Sequence, residues 1–198
     1  CDPGYGAVKA SQHNCVTLRR HEQTDGATAR ILRLDKMPDG FYLECDLHEA
    51  FPHMVKHYRR HLLMIDDRHL LLLDDILGTR VRIDTRGFFQ TRLPVRVEDK
   101  RFVVEGQENT LRIHYLSDVD ALQVVPWEHR HNEFNTMQWD DAWYRVHTVQ
   151  PILLTFGEPK VEHELTPERL AVRVDGREFV FEADDGILAF RGETSAES

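Results

Sequence analysis

Three cysteines, at positions 1, 15 and 45, are too few and too irregularly spaced for a zinc ribbon, a redox CxxC pair or a disulfide framework. No apolar run approaches the roughly 18 residues of a membrane-spanning helix, so membrane insertion is not expected. Neither a glycine-rich phosphate loop nor a Gly-x-Ser-x-Gly elbow is present, which disfavours nucleotide and serine-hydrolase chemistry. Positive charge is also short. With 25 Lys and Arg against 34 Asp and Glu, the net charge is −9, and long-range attraction will not gather nucleic acid or another polyanion. An anionic ligand would need a local basic site. Arg19-Arg20 and the Lys56 to Arg60 segment could supply one, against the plainer reading of a solvated strand face. The chain has neither an initiator Met nor a signal peptide. Cys1 could formally carry a lipid, but motif-like sequence begins at Asp2 with no polar tether, so a fragment of a longer chain is the expectation.

What is present reads as β-structure. The 198 residues, 41% of them hydrophobic, suffice for a buried core, and one domain over 1–198 is expected. Alternation and β-branched or aromatic bias predict strands at 15–18, 29–34, 40–47, 57–65, 69–76, 81–85, 91–97, 101–105, 110–116, 121–125, 143–156, 170–174, 178–182 and 187–191. Helical spacing occurs only near Phe51 to His61, and its flanks read better as strands. Asp175-Gly176 and Asp185-Gly186 are turn pairs that tolerate positive φ, and the first makes 170–182 the clearest hairpin. The fold class expected is all-β, an antiparallel multi-stranded sandwich of supersandwich type. Residues 126–144 are the least strand-like and read as a long loop or an excursion beside the sheets. Their indoles, Trp127, Trp139 and Trp143, could stack on sugar rings or pack the loop onto the sheets.

His13, in the run Gln12-His13-Asn14-Cys15-Val16-Thr17-Leu18, is the residue that points most directly at chemistry. Asp2 could reach it across a glycine-containing loop, and an Asp with a His suits either a zinc ligand pair or an oriented acid/base. Two ligands do not complete a metal site, so a third must come from elsewhere. His129 and His131 would share one face about 7 Å apart in an extended segment, open to a divalent ion or to solvent. A cupin-like metalloenzyme built on them lacks the expected glutamate motif. His53, His57 and His61 recur every four residues, a pattern read here without a site.

Three stretches together carry a family likeness: Asp2-Pro3-Gly4 with His13-Asn14-Cys15-Val16-Thr17-Leu18, then His57-Tyr58-Arg59-Arg60 leading into an apolar strand, then Leu70 to Gly78. On these the chain resembles the C-terminal β-sandwich region of heparinase II/III-like polysaccharide lyases. The resemblance implies an upstream α/α toroid and β-elimination at a uronic acid in the cleft between the two parts. It implies Asp2 and His13 as zinc ligands, with a third ligand outside this fragment and the zinc structural. His13 could instead serve as the catalytic or charge-neutralising histidine of the cleft, with Asn14 beside it on the substrate. Cys15 stands where the family has Thr. The implied partner is an acidic polysaccharide, the implied location bacterial periplasm or exterior, and the fragment alone is expected to be inactive. The alternative is a non-catalytic carbohydrate-binding or interaction module that uses Trp139 and its neighbours.

Overall fold

The computed structural model describes residues 9–79, 83–129 and 131–195. Sixteen strands run through the described residues: β1 (Val16–Leu18), β2 (Arg30–Lys36), β3 (Phe41–Asp46), β4 (Val55–Met64), β5 (His69–Gly78), β6 (Ile83–Thr91), β7 (Val95–Glu98) and β8 (Arg101–Glu105), then β9 (Thr110–Tyr115), β10 (Ala121–His129), β11 (Asn132–Arg145), β12 (His147–Phe156), β13 (Val161–Leu165), β14 (Arg169–Val174), β15 (Arg177–Asp184) and β16 (Ile187–Ser195). Only two single 3-10 turns interrupt them, at Ala10–Gln12 and His48–Ala50. The all-β expectation holds.

The strands form three antiparallel sheets. Eight make a central sheet in the order β2-β3-β4-β5-β12-β9-β8-β7, and two four-stranded sheets, β1-β6-β11-β10 and β13-β14-β15-β16, pack on its two faces. Because side chains alternate across a strand, the middle strands must be apolar on both sides. β5 obeys this: Leu71 and Leu73 enter the core against β14–β16 with Phe179, Phe181 and Leu188, while Leu72 and Ile76 enter the opposite core with Val16, Leu18, Met137 and Trp139. A strand buried on both faces leaves water behind twice, which is why its sequence reads as a near-continuous leucine run.

Two local expectations are corrected. Residues 126–144 are not a loop but the hairpin of β10 and β11, paired from Ala121↔Asp140 to His129↔Asn132. Residues 91–97 are not one strand, since β6 ends at Thr91 and β7 begins at Val95. Near 51–61 the strand reading holds: a turn at 52–54 leads into β4 at Val55. In β11 the inward residues Met137 and Trp139 are apolar, but the outward Thr136 and Gln138 are polar and hydrogen-bonded, so the strand's alternation is hidden by its loop-like composition. Trp139 lies opposite Gly87 of β6, and its ring occupies the space a side chain at Gly87 would need.

Candidate metal centre

β5 runs between β4 and β12 in the central sheet, and both neighbours place a histidine opposite Leu77: His57 from β4 and His147 from β12. Asp75 sits two residues back on β5 and therefore on the same face. The result is a group brought together from three strands. His57 Nε2 lies 3.1 Å and His147 Nε2 2.5 Å from Asp75 Oδ1, and the two imidazoles meet edge to face with centroids 5.8 Å apart. The other carboxylate oxygen, Oδ2, accepts the Leu188 backbone N–H at 2.7 Å, a bond from β16 of the neighbouring sheet. Asp75 is fully buried, His57 nearly so, and His147 keeps 22% of its side chain exposed.

Burial by itself would push the Asp75 carboxyl up. Hydrogen bonds from His147, His57 and the Leu188 N–H outweigh it and hold the group well below the usual carboxylate range. A permanently ionised carboxylate between two imidazole nitrogens is a donor set that suits a divalent ion. The three ligand atoms lie within 4.8 Å of one another, and no other group of this kind occurs among the described residues. Tetrahedral N and O ligands at about 2.0–2.2 Å from zinc stand about 3.3 Å apart, so small side-chain shifts would seat an ion with a fourth position open. His147 lines a cleft of about 610 Å³ between the central sheet and the β13–β14 turn, with Tyr115, Val149 and His163 also on its walls.

Around this group most buried polar side chains have a partner, and a few atoms do not. On the same face His61 Nδ1 meets the Tyr42 hydroxyl at 2.8 Å, while its Nε2 is buried with no partner. Burial lowers the His61 pKa to about 4 and so keeps the ring neutral. On the opposite face Arg60 donates twice to Asp74, at 2.7 Å each, and once to the Tyr58 hydroxyl at 3.0 Å. That bidentate pair neutralises the second buried aspartate of β5.

The residues singled out from sequence stand elsewhere. His13 closes the 3-10 turn Ala10–Gln12, its backbone N–H bonded to Ala10 O at 3.0 Å, and is partly buried. Asn14 Oδ1 accepts the Gln90 backbone N–H at 2.7 Å and so pins this segment to β6. Asp2 and the side chain of Trp143 lie outside the described residues. Trp139 is not a surface platform: it is 2% exposed, packed against Phe89 and Tyr115, and the expectation that it stacks on sugar is corrected accordingly. Trp127 stacks on Phe134 with centroids 4.9 Å apart and donates to Gln90 Oε1 at 3.2 Å. His129 and His131 flank the turn joining β10 to β11, with His131 at φ 63°, so they do not lie along one extended face as supposed.

His57 belonged to a histidine pattern read as having no site, and that reading is revised, because its partners lie off the pattern. Asp75 is 18 residues away and His147 lies 72 beyond Asp75, so only strand register unites them. The one signal in sequence was the acidic pair Asp74-Asp75 at the end of an apolar run, where two charges destined for burial require partners.

No protein-family model matches the sequence, and comparison with curated proteins finds no relative. Solved structures do match the fold. Heparan sulfate lyase HepC from Pedobacter heparinus superposes with a TM-score of 0.64 at 12% identity over 94% of this chain, and a mutant of that lyase with 0.65 at 13% over 86%. A heparinase III gives 0.68 at 10% identity over 87% of this chain. The chain spans 30% of the length of each. Its fold is thus that of a β-sandwich portion of heparinase-type lyases, as the motif resemblance implied. No helix among the described residues is long and apolar enough to cross a membrane.

Proposed function

We propose that this chain is the β-sandwich part of a polysaccharide lyase that cleaves a uronic-acid-containing polymer by β-elimination, and that His57, Asp75 and His147 hold a divalent ion in it. The observation that carries the reading is the convergence of two imidazole Nε2 atoms on one buried, ionised carboxylate at the centre of a heparinase-type sheet. With the fourth position not supplied by protein, zinc is the ion the N₂O donor set favours. Its contribution is a cross-link among β4, β5 and β12. The site is proposed as a metal centre distinct from the expected pairing of Asp2 with His13, of which Asp2 lies outside the described residues.

In β-elimination the uronate carboxylate is neutralised, the C5 proton is removed and the glycosidic oxygen leaves C4. A C5 proton is weakly acidic until that neutralisation, so positioned cationic or neutral acid/base groups are required. His13 is the residue of this chain assigned to the cleft in the reading, with Asn14 positioning it through the bond to Gln90. The remaining acid/base groups are assigned to an upstream helical domain, and the site of action to the bacterial periplasm or exterior.

The test is to express the parent chain with its upstream region and follow the ultraviolet absorbance of unsaturated product on heparan sulfate, alginate and other uronate polymers. Cleavage of one of them is expected, reduced about 100-fold or more by His13→Ala. Absence of product from all would overturn the reading. Separately, elemental analysis should find one divalent ion per chain in the wild type and none in Asp75→Asn.

A further inference from the structure

The short turn between Leu18 and His21 is built against its backbone's preference. His21 N–H bonds to Leu18 O at 2.8 Å, and both central residues have positive φ, Arg19 at 50° and Arg20 at 63°. A two-residue turn of this primed kind takes Asn-Gly or Asp-Gly, because a Cβ at left-handed φ is strained. The same molecule follows that rule elsewhere: the hairpins β14–β15 and β15–β16 turn through Asp175-Gly176 and Asp185-Gly186. Among the described residues only here are two arginines held in the left-handed region together, and strain retained at one place motivates a search for a use.

Neither guanidinium is spent on the fold. Among the described side chains every other arginine has a partner, a carboxylate for most and Asn132 for Arg92, whereas the Arg19 and Arg20 guanidinium groups have no ion pair, hydrogen bond or ring contact, Arg19 bonding only through its backbone N–H to Asp84 O. In a chain with nine excess negative charges, two unpaired adjacent arginines are conspicuous.

Beside the turn lies a concavity of about 360 Å³, in the size range of small-ligand sites. Its floor is apolar, from Phe51, Pro52 and Met54, and its rim carries Arg19, His21 and His53. The one acidic group on the rim, Glu22, is tethered, its Oε2 accepting the Ala10 N–H at 2.7 Å. A basic rim over an apolar floor suits a ring with a hydrophobic face and a negative substituent. We infer that Arg19, with Arg20 beside it in the turn but off the wall, and the Phe51–Met54 floor form a binding pocket for a carboxylated or sulfated sugar residue of an acidic glycan, separate from the His57–Asp75–His147 group. The choice of a sugar rests on the lyase reading; the need for an anion does not.

The test replaces the turn by the residues its backbone prefers. Arg19→Asn with Arg20→Gly removes the charge and relieves the strain, so it should fold, with Tm raised by about 2–4 °C. Binding of a heparan sulfate hexasaccharide or an alginate hexamer to the 198-residue chain, followed by calorimetry, should weaken by about tenfold or more in this variant. Arg68→Asn, at an exposed arginine remote from the pocket, should bind as the wild type does. Cellohexaose should not bind, and inorganic sulfate should bind far more weakly than the acidic oligosaccharides. Unchanged affinity in the double variant, equal binding of cellohexaose, inorganic sulfate binding as tightly as the hexasaccharide, no binding of either acidic oligosaccharide, or a Tm that falls would each overturn the proposal. If the parent chain cleaves no polymer while this pattern of binding holds, the lyase reading fails and the pocket stands.

Discussion

His61 shows what a single buried imidazole costs. It has no exposure, its Nδ1 faces the Tyr42 hydroxyl, and its pKa is pushed from the ordinary 6.5 to about 4, burial being the main cause and Asp75 and Asp74 opposing it. Arg59 and His57 add to the lowering. Between those two pH values the unfolded chain takes up a proton that the folded chain refuses, so stability falls as pH drops from about 6.5 to about 4. At about 1.4 kcal/mol per pH unit, the full window amounts to about 3 kcal/mol. Urea unfolding at pH 7 and pH 4.5 should show this loss, and His61→Phe, which has no proton to gain, should flatten the slope even while lowering stability by leaving the Tyr42 hydroxyl only its longer bond to Glu44. An equally steep slope in the variant would refute the assignment.

At the level of elements, the pairing of β6 with β11 depends on one missing side chain. Trp139 crosses directly opposite Gly87, and a Cβ there would fall 1.8 Å from the indole ring. The ring cannot swing aside, since Phe89 and Tyr115 pack against it at centroid distances of 5.0 and 5.3 Å. Gly87→Ala should therefore destabilise by about 3 kcal/mol, at the upper end for overpacking, measured by denaturant unfolding; a change under about 0.5 kcal/mol would mean the sheet separates freely here. The same pair of strands explains how far the sequence could be read. Strands such as β5 and β14 were legible because burial of one or both faces demands apolar residues at fixed intervals. β11 was not, because its outward side is covered by polar groups: Thr136 bonds to Gln90, and Asp140 to Arg86. For the candidate site the limit was different. Arg19-Arg20 stood out as a basic pair from composition alone, and the Asp74-Asp75 stretch was already marked by the resemblance. The meeting of Asp75 with His57 and His147 depends on two strand registers and a bulge between Val55 and His57, none of which a local pattern encodes.

Across the whole molecule, Asp75 is the point where two layers are joined. Its Oδ1 faces the histidines of the central sheet and its Oδ2 holds Leu188 N–H, in a strand 113 residues further along. Elsewhere the contact between β14–β16 and the central sheet is mainly apolar packing of Leu63, Leu71, Leu73 and Leu153 against Phe179, Phe181, Leu188 and Phe190, which is strong but not directional. A buried carboxylate stripped of its partners is costly, so the hydrogen bond to Leu188 and the bonds to the two imidazoles support one another. Changing Asp75 should thus reach further than its neighbours. Asp75→Ala is expected to raise amide hydrogen exchange in β15 and β16 at least tenfold, with smaller change in β6 and β11 on the far side of the central sheet. Chelator treatment of the wild type should move the same residues in the same direction, because an ion held as proposed by His57, Asp75 and His147 would fix the carboxylate that Leu188 depends on. If exchange rises equally in the two outer sheets, Asp75 supports the fold as a whole and does not couple one layer to another.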